Sequence, residues 1–246
     1  MYNNNKKDKR VSCKIYEDQG KSSESNKFLA ILSLSASIIL IALPNLVKVL
    51  WITDRMSEND FVVFFLLPFI QLYLFIFCLI FLKRMMPKIG VTDFIYFRWN
   101  RSELYSILWL TLSIIFVFIF AYIYVKITPM KKHSSILMLG KPSIFFIAWQ
   151  FIYVVILFPI IEEIFFRGYI QGILIRISRP LIAIPLQSIL FGLYHFRPLL
   201  NTLPLCVIGI IFGIWQQKRN TLVPIIIAHI IINLFSFFIL WKYLLL

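Results

Sequence analysis

The sequence predicts an all-α protein, a polytopic membrane helix bundle of about seven transmembrane helices. Hydrophobic residues make up 60% of the 246, with 17% aromatic and a mean hydropathy of +0.85, against roughly 45–50% apolar residues in a soluble domain. The apolar residues fall in runs close to the length of about 20 that crosses a hydrocarbon core. The formal charge of +14 comes from basic residues gathered in short segments between those runs, as expected of loops facing anionic lipid. A lipid bilayer is therefore the expected surrounding, and a nucleic-acid partner is not.

Residues 1–27 form a polar tail with seven Lys and Arg, too poor in apolar surface to offset the entropy of ordering. The tail runs into the first span without a small-residue cleavage signal, so it reads as an uncleaved cytoplasmic anchor. The first span covers Phe28 to about Leu50, with Pro44-Asn45 accommodated as a kink. Trp51 to Asp60 is a short loop, and Phe61 to Leu82 is the second span. The basic loop Lys83–Glu103 follows, then a third span, Leu104–Val125, whose aromatic stripe reads as lipid-facing. Lys126–Pro142 is a second basic loop, with His133 as a solvated residue. From Ser143 to about Ser178 the pattern is one helix of about 35 residues, longer than a bilayer requires. Arg179-Pro180 closes it, and Leu181–His195 forms the next helix. A Phe196-Arg197-Pro198 turn leads into Leu199–Trp215, then a polar turn at Gln216–Asn220, and a final span from Thr221 towards Leu240.

Three cysteines, Cys13, Cys78 and Cys206, lie in the tail and in two spans without paired spacing, so no disulfide framework or zinc knuckle is indicated. With the N-terminus inside, seventeen Lys and Arg fall on inside segments and seven on outside ones, which favours a cytoplasmic N-terminus in a multi-pass plasma-membrane protein. The four lysines between 126 and 141 are the discordant group.

Acidic residues locate the chemistry. Nine of the eleven Asp and Glu lie at or before Glu103, and the other two are Glu162 and Glu163, inside an apolar run. An acidic residue near the centre of a membrane helix costs roughly 2.5–3.5 kcal/mol, so its presence implies a function and a partner. His195 and His229 also lie in apolar runs of this C-terminal half. Residues four apart share a helix face, which pairs Glu163 with Arg167, Phe191 with His195 and His229 with Asn233. Neighbouring helical residues point about 100° apart, so Arg167 can neutralise Glu163 while Glu162 aims elsewhere. At about 1.5 Å per residue, Glu162 and His195 stand about 25 and 23 Å from the Arg179-Pro180 turn and come level in a hairpin. His229 joins them if the helix beyond Glu163 projects past the membrane.

Each group also has an ordinary structural use. A buried Glu–Arg pair can be a lock, Phe191 a packing residue behind His195, and Asn233 an interhelical hydrogen bond. Together they are the parts needed for peptide-bond hydrolysis. A carboxylate in apolar surroundings can act as general base on water, and His and Asn can stabilise an oxyanion. No Gly-x-Ser-x-Gly elbow, no Asp within a span and no His-Glu-x-x-His motif is present, which sets aside serine, aspartyl and zincin-type mechanisms.

Glu162-Glu163-x-x-x-Arg167, followed by Phe191-x-x-x-His195 and His229-x-x-x-Asn233, resembles the CAAX-protease and bacteriocin-processing (CPBP, Abi) family of intramembrane endopeptidases. The resemblance covers roughly residues 140–240. It implies that Glu162 and His195 activate water, that His229 and Asn233 form the oxyanion site, and that Glu163 and Arg167, with Phe191, hold the geometry. No cofactor is expected to be required; a divalent metal such as zinc, if one binds, would use Glu162, His195 and His229. The expected partner is a peptide or protein substrate at the membrane, a bacterial leader, signalling or bacteriocin peptide, or one concerned with self-immunity. Residues 1–27 are then the tail, 28–135 the N-terminal helices and 136–246 the catalytic core. Two other readings use the same residues: a noncatalytic membrane immunity or scaffolding protein, and a transporter with a Glu–His proton relay, although the two halves show no repeated broken-helix pattern.

Overall fold

The computed structural model describes residues 31–32, 34–39, 69–78, 80–81, 97, 99–127, 144–196 and 199–245. Every regular element among them is helical, and helix occurs at each of the seven places where a span is expected. The tail 1–27 with Cys13, the Pro44-Asn45 kink, the loops at 51–60 and 128–143 with His133, and Arg197-Pro198 lie outside the described residues.

Helix α1 comprises residues 31–32 and 34–39, and α2 residues 69–78 and 80–81. Helix α3 is Ser102–Ile127. Helix α4 runs without a break over 144–177. Helix α5 is Pro180–Tyr194, α6 Leu199–Arg219 and α7 Val223–Leu245. Among the described residues, Ser102–Phe120 and Ile147–Ile177 are long and apolar enough to cross a membrane, and Phe69–Cys78, Pro180–Tyr194 and Val223–Ile239 are shorter apolar helices.

The distribution of polarity is that of a membrane protein. Large apolar side chains such as Tyr105, Phe116 and Leu181 face outwards, while Glu162, Glu163, Arg167, Gln171, Gln187 and Ser188 are buried. The outward Phe116, Phe118 and Phe120 of α3 agree with the lipid-facing stripe read from the sequence. A soluble domain places charge outside and buries Lys, Arg, Asp and Glu only when they are paired.

Helix α4 departs from the uniform α-helix the spacing predicts. It widens into π-helical turns at Phe151–Leu157 and Ile164–Ile170, separated by the α-helical Phe158–Glu163. The first has a local cause. Pro159 has no N–H, and its ring crowds the carbonyl four residues earlier, so the helix loosens just ahead of it. Such single wide turns are frequent at functional sites.

Helix α6 also differs from expectation, continuing through the supposed polar turn to Arg219. Lys218 and Arg219 in its last turn complement the negative end of the helix dipole. Asn220 closes it with a positive φ of 53° and a 2.7 Å bond from its N–H to Gln216 O, as expected of a left-handed cap.

Packing centres on α4. One cluster joins Leu34, Phe75 and Cys78 of the N-terminal helices to Phe165, Phe166, Tyr169 and Ile170 of α4 and to Phe191 and Tyr194 of α5. A second joins α3, α6 and α7 through Leu110, Ile114, Phe212, Ile225 and Ala228. Helices α5 and α6 approach closely over Gly209-x-x-x-Gly213, a small-residue spacing that lets backbones meet in lipid. Gln187 Nε2 donates to Gly209 O at 3.1 Å and Gln171 Nε2 to Gly213 O at 2.9 Å.

A Cβ added at Gly209 would stand 2.9 Å from Ser188 Cβ and 3.0 Å from its Cα, so the helices must separate to admit it. Gly209→Ala is expected to destabilise the bundle by about 1–3 kcal/mol, read as a lowered midpoint of thermal unfolding in detergent.

Candidate active site

The site is built on the short α-helical segment Phe158–Glu163, where Glu162 and Glu163 are both buried. Glu163 Oε1 accepts from Arg167 Nη1 at 3.1 Å and from His229 Nδ1 at 2.8 Å. The Arg167 side chain is fully enclosed. Its guanidinium carbon lies 4.1 Å from the centre of the Phe191 ring and 5.2 Å from that of Phe212. Its Nε and Nη2 have no hydrogen-bond partner among the described residues, so aromatic faces supply the contacts that the single carboxylate bond leaves out.

Glu162 points to the other side and meets both histidines. Its Oε1 is 3.7 Å from His195 Nε2 and its Oε2 is 3.7 Å from His229 Nε2. His195 thus comes level with Glu162 across the α4–α5 hairpin. Both rings are oriented from behind. His195 Nδ1 is 2.8 Å from the Phe191 carbonyl, which can only accept, so Nδ1 carries the proton. The carboxylate of Glu163 fixes Nδ1 of His229 as donor in the same way. In the neutral rings each Nε2 therefore turns a lone pair towards a carboxylate oxygen. A separation of 3.7 Å is too long for a direct hydrogen bond, and because both atoms are acceptors a bridging water there would donate one O–H to each.

The two histidine side chains are 16% and 12% exposed, against 2% for Glu162, so the buried carboxylate meets the surroundings through them. His195 sits just past the end of α5, and its N–H caps that helix on Gly192 O. Phe191 stands edge-on to the rings of His195 and His229, at 4.9 and 6.4 Å. It therefore touches Arg167 and both histidines, more than the backing role the sequence suggests. Among the described residues, no three His, Cys, Asp or Glu side chains are spaced to hold a metal ion.

Asn233 lies one turn beyond His229 on α7, but its amide turns to α4. Its Nδ2 donates to Val154 O at 2.9 Å. The wide turn explains why that carbonyl is available. Phe158 N–H bonds to Tyr153 O, five residues back, so in the same pattern the donor for Val154 O would be residue 159, which is proline. Asn233 supplies the missing hydrogen bond and keeps its second N–H.

Two contributors are absent from the sequence reading. Phe212 gives no signal, being one aromatic among many. Gln71 of α2 is buried; it accepts from Tyr153 Oη at 2.7 Å and donates to Tyr194 Oη. A single amide in the apolar run 61–82 is the signal that could have found it.

Comparison with known proteins falls on this part of the chain. Residues 144–235 match the family described as type II CAAX prenyl endopeptidase Rce1-like, and that segment contains every residue of the Glu–Arg–His–His–Asn constellation. The chain is also similar to UPF0177 protein YxdF of Lactococcus lactis subsp. lactis (strain IL1403), 33% identical over 81 residues, which is 33% of this chain and 44% of that protein. The match thus spans less than half the length of the curated relative. No solved structure matches. The fold and site define a helical membrane protein with a buried Glu–His centre.

Removing one partner of a buried ion pair strands the other charge at a cost of about 3–5 kcal/mol. Arg167→Ala is expected to lower the unfolding midpoint and the yield of folded protein in detergent. Arg167→Lys is expected to restore only part of the loss, because a lysine cannot present a planar face to Phe191 and Phe212.

Proposed function

We propose that the protein is an intramembrane endopeptidase that hydrolyses a peptide bond with water activated between Glu162 and His195. The observation that carries this reading is the facing of both Glu162 oxygens by histidine Nε2 atoms at 3.7 Å, with each ring oriented through its Nδ1. Glu162 takes a proton from water as the oxygen attacks the scissile carbonyl. The same proton is delivered to the departing amine, so the net change is one water consumed and one peptide bond broken.

His195 orients the water. When His229 carries a second proton, its Nε2–H becomes a donor to the oxyanion, and the N–H that Asn233 does not spend on Val154 is the second donor. Glu163 and Arg167 hold His229. The expected substrate is a bacterial peptide or protein presented at the plasma membrane, such as a leader, signalling or bacteriocin peptide, cut near the cytoplasmic face, with the chain's N-terminus on that side. No cofactor is required in this reading. A divalent ion such as zinc, if one took part, would use Glu162, His195 and His229, which would have to close in from their present spacing to hold it.

The test uses purified full-length protein in detergent with candidate peptides. Glu162→Gln and His195→Ala are expected to lower the cleavage rate by roughly 10²–10⁴-fold while the thermal unfolding midpoint stays near that of the wild type. Undiminished cleavage by Glu162→Gln would sink the proposal. Cleavage is also expected to survive a strong divalent-metal chelator, and loss that zinc restores would replace the metal-free mechanism by a metal-assisted one.

A further inference from the structure

The buried tie between Gln71, Tyr153 and Tyr194 does nothing in the chemistry described so far, and it brings in a helix outside the family-matched segment. Gln71 Oε1 accepts from Tyr153 Oη of α4 at 2.7 Å, and Gln71 Nε2 donates to Tyr194 Oη of α5. Gln71 and Tyr194 are 5% exposed and Tyr153 9%. Stability alone gives little reason for such a set, because an interhelical hydrogen bond in lipid contributes little on average, and apolar side chains would fill the same space.

Its position gives a better reason. Tyr194 is the last residue of α5, directly before His195. Its ring packs on Phe158 at 6.4 Å and Phe166 at 5.3 Å, the residues one turn before and one turn after Glu162. Tyr194 therefore sets how far the end of α5 advances along α4, and with it the height of His195 relative to Glu162. Helix α5 ends here, and Phe196 leaves it with φ at 48°. Gln71 closes a loop: from Glu162 back along α4 to Tyr153, across Gln71 to Tyr194, and through His195 to Glu162 again.

We propose that Gln71 is a positioning residue, supplied by the N-terminal half of the chain, that fixes the His195–Glu162 separation through the hydroxyls of Tyr153 and Tyr194. The proposal rests on the Glu162–His195 centre being the reacting one. It implies that residues 144–235 do not by themselves complete the active geometry.

Two readouts test it on the full-length protein. In peptide cleavage, Gln71→Leu and Tyr194→Phe are each expected to lower kcat roughly ten- to a hundredfold, as small misplacements of reacting groups do, with KM little changed. The double variant is expected to be no slower than either alone, since the residues act as one unit. Independently of any cleavage, the ¹⁵N NMR signals of the His195 ring are expected to show a titration midpoint displaced by about half a pH unit in Gln71→Leu. His195→Ala identifies those signals. A normal kcat in both single variants, or additive losses in the double, would overturn the clamp and leave the endopeptidase reading intact. An unmoved His195 titration in a folded Gln71→Leu protein would overturn it as well. A displaced titration in a protein that cleaves no peptide would uphold the clamp's geometry and count against the endopeptidase reading.

Discussion

The ion pair between Glu163 and Arg167 is the interaction on which the rest of the C-terminal half depends. Each ion costs several kcal/mol to take out of water, and their attraction offsets this only with good geometry and further bonding to the remaining polar atoms. Four helices supply that setting. The pair itself belongs to α4, Phe191 of α5 and Phe212 of α6 cover the guanidinium, and His229 of α7 donates to the carboxylate. Phe191 belongs to one apolar cluster and Phe212 to another, so Arg167 lies at the seam between them. An enclosed charge that takes partners from three neighbouring helices favours one arrangement of them over others.

That enclosure separates the work of two adjacent carboxylates. Glu163 is bonded on one oxygen to a cation and a histidine and is turned inwards. Glu162 faces two imidazole nitrogens at distances that leave space for a small donor. His229 links the two, with Nδ1 on one carboxylate and Nε2 towards the other. A change at Glu163 therefore reaches Glu162 through a single ring, without any movement of the helix that carries both.

Much of this was legible in the sequence because polar residues in an apolar chain are conspicuous. Glu162, Glu163, Arg167, His195 and His229 stood out as groups that lipid would reject, and helical spacing paired Glu163 with Arg167 and placed His195 level with Glu162. The long helix over 144–177 followed from the uninterrupted apolar pattern ending at Arg179-Pro180. What escaped was whatever does not break a pattern. The wide turns of α4 keep the same composition as an α-helix, Phe212 is one phenylalanine among 25, and the continuation of α6 to Arg219 is hidden because polar residues suit a helix end as well as a turn. The bond from Asn233 to Val154 O could not be foreseen without knowing that the helix widens before Pro159.

That last bond makes a proline and a distant asparagine one chemical unit. Pro159 removes a hydrogen from the interior, and Asn233 returns one from another helix. Each is a liability in lipid without the other: a proline alone strands a carbonyl, and an asparagine alone strands an amide. The two positions should therefore change together along a lineage. A designer who moved the α7 motif into another bundle without the proline would carry over an amide in search of an acceptor. The fault in one helix acts as an address for the next, and it is written in an absent atom.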